Sequence, residues 1–357
     1  VDVVRERLAN QFLTTPGLDT AAEVVRALGA VQAQDYAGAT WALSLRSRDT
    51  PDAEIERAFG AGEILRTHVL RPTWHFVAPE DIRWMLALTG PRVSAAMAYY
   101  NRRLELTPAV FRRSHAAIAN ALRGGKQLTR LELRAVLERA RIGAIAGQRL
   151  GHLMMQAELD ALICSGARRG KQFTYALLDE RVPFVAPRDR DDALLELTRR
   201  YFRTRGPASL RDFSWWSGLT IADCRRGVHL AGSQLEPLTL NDTSCWLMPR
   251  GTSAPKARGA AHLLPNYDEY FIGFRDRSSI GERLLGDIGL ATGGNALVGH
   301  IVFVGGQIVG AWKRSFDERT VTIHLTLLTR LTHAESRRVA AQTRRLGKFL
   351  GVKAVLQ

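Results

Sequence analysis

Apolar positions recur at helical spacing through roughly the first 160 residues. The pattern first runs over residues 3–13. Thr20 then stands before the apolar run 21–28, where its hydroxyl can cap a helix, and Gly29 follows as a stop. Val31–Gln32–Ala33–Gln34–Asp35 breaks the periodicity, and a second helix is predicted over residues 37–45. Two short strands are predicted at 64–70 and 73–77. Helix, short irregular link, helix and hairpin together outline a helix-turn-helix followed by a wing.

The outline repeats. Thr129 with Glu132 has capping-box spacing at the head of a helix, a turn follows around Ile142 and Gly143, and a long helix is predicted over 148–164. Residues 170–177 supply a strand with basic residues at its mouth. A third copy follows Pro187: a helix at 192–202, a turn at Gly206–Pro207, and helices opened by Ser209 and Thr220 with Gly218 between them. Its hairpin pairs 238–240 with 245–247. From about residue 255 strands take over. Residues 301–304 and 307–312 flank Gly305–Gly306 as a hairpin, 321–327 alternates as a neighbouring strand, and 332–349 is an arginine-studded closing helix. The interdomain linker is expected at 249–259, where Gly251, Ser253 and Pro255 interrupt any regular pattern. These features divide the chain into modules at 1–105, 106–187 and 188–254, with a mixed β domain at 255–357.

Composition changes this picture mainly through charge. Fifty Lys plus Arg against 35 Asp plus Glu give +15 over 357 residues, a surplus that draws polyanions. The only lysines are Lys126, Lys171, Lys256, Lys313, Lys348 and Lys353; the rest are arginines, whose planar forks suit phosphate. An acidic membrane surface is the competing partner, but no apolar span of roughly 20 residues is found. The first residues carry no signal-peptide pattern, so a cytoplasmic, nucleoid-associated protein is expected. Cys164, Cys224 and Cys245 are too scattered for a zinc site or a disulfide framework.

Phosphate-loop, zinc-protease and serine-hydrolase motifs are absent. The acidic run Arg188–Asp189–Arg190–Asp191–Asp192 precedes a helix, where aspartates cap and complement the dipole, so it is read as a helix start. Asp268 and Glu269, flanked by Tyr267 and Tyr270, either line a cleft or close a hydrogen-bonded turn. Gln32 and Gln34 are two apart, which separates them by about 200° on a helix but puts them on one side of an extended segment. Their amides either face a groove together or satisfy loose helix ends. Asp35 precedes the next helix as an N-cap should; it is also the segment's only ionisable group and the alternative catalytic base. His75, polar on an apolar wing strand, is either a buried hydrogen-bonded histidine or a further site residue.

Three segments resemble a known family, the bacterial winged-helix DNA glycosylases that unhook interstrand crosslinks. Gly29–Ala30–Val31–Gln32–Ala33–Gln34–Asp35 with Ala39–Thr40–Trp41–Ala42–Leu43 is similar to its Gln-hydrophobic-Gln catalytic motif in context. Arg71–Pro72–Thr73–Trp74–His75–Phe76–Val77 with Asp81, and Leu263–Leu264–Pro265–Asn266–Tyr267–Asp268–Glu269–Tyr270, resemble two further family segments. The broader branch carries aspartate at the second motif position; Gln34 matches the antibiotic self-resistance branch. The resemblance implies an α+β chain of three tandem winged helices and a C-terminal small β-barrel-like domain, lining a basic channel. It implies hydrolysis of the N-glycosidic bond of N7-alkylguanine, with Gln32 and Gln34 catalytic and without cofactor or metal. The expected partner is double-stranded DNA carrying alkylation damage or crosslinks, bound by a monomer. A non-catalytic winged-helix regulator or lesion sensor is the alternative.

Overall fold

Side-chain caps set where the first helices begin. α1 (Val3–Asn10) starts at Asp2, whose carboxylate accepts from the Arg5 amide, and α2 (Ala21–Leu28) starts in a reciprocal capping box between Thr20 and Glu23. Gly29 ends α2; β1 (Val31–Gln32), α3 (Tyr36–Arg46) and α4 (Asp52–Ala61) follow. The computed structural model describes residues 2–14, 18–143, 147–250, 260–284 and 299–357. Of the expected linker at 249–259, residues 251–259 lie outside the described residues.

The chain forms two compact units, each gathered from separate stretches of sequence. One comprises Glu56–Leu194 and Ser217–Leu219. In it β2 (Leu65–His68) and β3 (Trp74–Val77) pair antiparallel, with Leu65 opposite Val77. Two long helices follow, α5 (Ile82–Arg103) and α6 (Pro108–Leu122). Next come β4 (Leu128–Thr129), α7 (Arg130–Arg139), α8 (Gly147–Leu159), β5 (Ile163–Ser165) and β6 (Thr174–Leu177), with α9 (Leu178–Arg181) closing the run. The expected capping box of Thr129 and Glu132 opens α7. Ile118, Leu122, Leu133, Leu137, Leu153 and Ile163 form the unit's fully buried centre. The helix predicted to reach residue 164 stops at Leu159: Ala161 takes φ +54°, and Ile163–Ser165 is a strand. A short apolar run continues a helix and fills a buried strand equally well, so periodicity could not separate them.

The other unit comprises Val1–Ile55, Leu195–Trp216 and Thr220–Gln357. α10 (Arg190–Arg205) leads to β7 (Ala208–Ser209), α11 (Leu210–Ser217), α12 (Ile221–Ala231), β8 (Glu236–Leu240) and β9 (Thr243–Leu247). The β4–β6 and β7–β9 segments share one topology: a strand, two helices, then a hairpin whose second strand sits centrally, in the orders β4-β6-β5 and β7-β9-β8. The C-terminal part holds β10 (Ala261–Leu264), α13 (Glu269–Ile272), β11 (His300–Val304), β12 (Gln307–Phe316), β13 (Thr320–Leu327), α14 (His333–Leu350) and β14 (Lys353–Leu356). Its sheet has the order β10-β11-β12-β13-β14, antiparallel except for the last pair. Gly305 and Gly306, at φ +61° and +79°, make the β11–β12 turn expected of a two-glycine hairpin.

The expected small barrel is a half-barrel. Its edge strands β10 and β14 are not neighbours in the sheet, yet both contact α14, so the sheet curls around that helix instead of closing on itself. Trp41 of α3 packs its ring 5.1 Å from Phe349 of α14 and donates its indole N–H to the Leu263 carbonyl at 2.7 Å. α3 is thereby fixed against both the sheet and the closing helix.

His262 on β10 is buried, and neither ring nitrogen has a hydrogen-bond partner among the described residues. Burial, with Arg345 and Arg46 nearby, pushes its pKa down to about 4, while Asp268 opposes the shift. The unfolded chain therefore binds the proton more readily, and stability is lost as pH falls below the ordinary histidine value of 6.5 towards 4. Urea unfolding should reveal this group: His262→Leu is expected to lose about 2 kcal/mol less than the wild type between pH 7 and pH 5. Identical acid slopes would show that His262 is not the group responsible.

Candidate active site

The segment joining α2 to α3 is held from one side by a buried ion pair. Arg205, at the end of α10, donates to the Leu28 carbonyl at 3.0 Å and to the Ala30 carbonyl at 3.2 Å. The same guanidinium meets Glu269 Oε2 at 2.6 Å. Glu269, the first residue of α13, accepts the Gln32 amide N–H on Oε1 at 2.9 Å and the Trp216 indole N–H on Oε2 at 2.9 Å. The Arg205 guanidinium lies 4.2 Å from the Trp216 ring centre, and both members of the ion pair are fully buried.

Gln32 and Gln34 are placed unequally. Gln32 ends β1 and is 7% exposed, whereas Gln34 lies beyond the strand and is exposed. The chain bends there because Asp35 is already the N-cap of α3, its carboxylate accepting the Gly38 amide at 3.1 Å. Gly38 lets this turn close: a Cβ there would lie 2.7 Å from Asp35 Oδ2 and 3.1 Å from Pro265 Cβ. The Leu263–Tyr270 segment thus packs directly against the start of α3.

Around Asp35 the chemistry is mixed. His300 Nδ1 accepts the Asn266 amide N–H at 2.9 Å, which leaves its proton on Nε2, and its ring stacks on Trp312 at 4.4 Å. Burial lowers the His300 pKa, helped by Arg314, with Asp35 opposing. Arg314 is also lowered by burial and raised by Asp35 and Asp52. Asp35 therefore lies within electrostatic reach of a half-buried imidazole and a half-buried guanidinium.

Asp268 is 1% exposed and serves the interior. Both its oxygens meet Arg46 at 2.8 Å, and Oδ1 also accepts the Tyr270 amide at 2.9 Å as the cap of α13. Arg46, the last residue of α3, further donates to Gln11 Oε1 at 3.0 Å. In the other unit, His75 on β3 is fully buried, and its Nδ1–H donates to the Thr73 carbonyl at 2.9 Å. The acidic run ahead of α10 acts at a helix start: Asp189 accepts the Asp192 amide at 2.9 Å, which lowers its pKa. Among the described residues no group of three or more His, Cys, Asp or Glu could hold a metal ion.

Arg46 and Arg205 are not among the residues the sequence singles out, and Glu269 stands out there only as a companion of Asp268. A faint signal was available. Arg46 closes the run Trp41–Ala42–Leu43–Ser44–Leu45, where a cation enters an apolar pattern, whereas Arg205 is one of several arginines at 199–205 and nothing local distinguishes it.

Residues 25–349 match the family model described as DNA glycosylase AlkZ-like. The chain belongs to the AlkZ-like DNA glycosylase family. The match takes in the whole α2–α3 link, Arg46, Arg205 and the Asp268–Glu269 pair. Among proteins similar to this AlkZ-like chain is the interstrand DNA cross-link repair glycosylase of Streptomyces sahachiroi. It is 23% identical over 331 residues, covering 88% of each protein. The solved structure of the Streptomyces sahachiroi DNA glycosylase AlkZ is similar in fold, with TM-score 0.79 at 19% identity over 100% of this chain and 98% of that one. Among the described residues of the AlkZ-like chain, no helix is long and apolar enough to cross a membrane.

Proposed function

We propose that this AlkZ-like chain is a DNA glycosylase that hydrolyses the N-glycosidic bond of N7-alkylguanine, unhooking interstrand crosslinks and removing monoadducts. The observation that carries this reading is the Gln32–Ala33–Gln34 segment, held by a buried ion pair and ending at an exposed amide. An amide cannot act as a general base at neutral pH, so Gln32 and Gln34 orient a water by hydrogen bonds. N7-alkylguanine suits such a site because its ring already carries a positive charge. Water adds at C1′, the C1′–N9 bond breaks with its electron pair going to the base, and the water's proton passes to solvent. The sugar gains positive charge as the bond breaks, and DNA phosphates and oriented amide oxygens stabilise it.

The strand–helix–helix–hairpin topology seen twice supports three tandem winged helices at 1–105, 106–187 and 188–254, ahead of the C-terminal half-barrel. With a net charge of +15, such modules bind duplex DNA, and the protein acts as a monomer in the cytoplasm. Glutamine at residue 34, where the broader branch carries aspartate, supports a setting of self-resistance to a DNA-alkylating antibiotic.

The deciding experiment incubates the purified protein with N7-methylguanine DNA and follows free base by chromatography. Release supports the proposal; tight binding without release would make the chain a lesion sensor. Binding is also expected to fall tenfold or more between about 50 and 200 mM salt, because phosphate contacts release counterions. Fluorescence titrations that show no salt dependence would contradict the electrostatic part of the reading.

A further inference from the structure

We infer that Glu269 and Arg205 are positioning residues for the glutamine pair: together they clamp the turn from the end of α2 into β1 and fix the backbone from which Gln32 and Gln34 project. This rests on the role proposed above for the glutamines.

The geometry is directional. Leu28 ends α2, Gly29 turns the chain at φ +80°, and β1 begins at Val31, so the clamp reaches polar backbone groups on both sides of that turn. Those groups are the Leu28 carbonyl, the Ala30 carbonyl and the Gln32 amide N–H. The guanidinium answers the two acceptors and the carboxylate answers the donor. The pair is itself held in place. Trp216 donates to the carboxylate and faces the guanidinium, and Thr204 Oγ1 accepts from Arg205 Nη1 at 2.8 Å.

Energetics point the same way. A fully buried ion pair usually contributes no more stability than apolar side chains of similar volume would. Hydrogen-bonding the Leu28 and Ala30 carbonyls and the Gln32 backbone N–H is something apolar side chains cannot do. The last contact of the clamp is on the Gln32 amide itself, so the clamp governs where the Gln32 side chain begins and where the chain turns towards Gln34.

The test uses two variants that keep both charges but loosen the grip. Glu269→Asp shortens the carboxylate arm by one methylene, and Arg205→Lys replaces the fork by a single ammonium. Single-turnover release of N7-methylguanine is expected to slow about 10- to 100-fold in each, the size of effect a displacement near 1 Å produces. DNA affinity is expected to stay within about threefold, and both proteins are expected to melt cooperatively. Combining Glu269→Asp with Gln32→Ala separates positioning from general damage. If the clamp works through Gln32, the double variant loses much less than the product of the two single losses.

Wild-type rates in both clamp variants would overturn the inference, and so would fully multiplicative losses. Failure of both variants to fold would reduce the pair to a structural element and also overturn it. Absence of base release by the wild type would instead sink the glycosylase reading, which the wild-type control reports before any variant is compared.

Discussion

Gln34→Ala is expected to slow release of N7-methylguanine by at least about a hundredfold while leaving DNA affinity within about threefold. Gln34 is exposed and outside regular secondary structure, so truncation opens no core cavity and the fold should be unaffected. A rate loss at constant stability and affinity then reports on the chemical step. Asp35 supplies the control. Asp35→Asn keeps an oxygen to cap α3 but removes the charge. With the amides orienting water, Asp35→Asn should retain most of the rate and the reaction should show no carboxylate limb in its pH profile. Should Asp35→Asn lose as much as Gln34→Ala, the base role would move to Asp35.

The largest stability effect is expected at Asp268→Ala. The substitution leaves the Arg46 guanidinium fully buried beside Gln11 with its countercharge gone, and removes the cap of α13. Breaking one half of a buried pair costs about 3–5 kcal/mol. Arg46→Met combined with Asp268→Leu removes both charges and should recover most of that loss in urea titrations. A double variant as unstable as Asp268→Ala would show that the pair is needed for more than charge balance.

What was legible in the sequence is what is local. The caps at Thr20, Thr129 and Thr220 stand where a hydroxyl precedes a run with apolar positions at helical spacing, and the Gly305–Gly306 turn is set by backbone conformation alone. The end of α8 is not marked in the sequence, because Leu162, Ile163 and Cys164 suit either state. The half-barrel was not foreseeable from strand patterns, since curling is decided by which strands touch α14. In the candidate site, the irregular link carrying both glutamines could be read directly. The burial of Gln32 against the exposure of Gln34 could not, because it depends on partners far along the chain. Arg46 meets Asp268 across 222 residues, and Gln32 meets Glu269 across 237.

Those separations give the Asp268–Glu269 dipeptide an unusual reach. Glu269 holds the backbone just ahead of α3, and Asp268 holds the last residue of the same helix, so two adjacent carboxylates brace both ends. During synthesis at about 5–20 residues per second, more than ten seconds pass between the emergence of the glutamines and that of their brace. Throughout that interval the nascent chain carries both glutamines without the Glu269 contact to the Gln32 backbone N–H. A fragment ending before residue 268 would carry the Gln32–Ala33–Gln34 segment without either carboxylate of that brace.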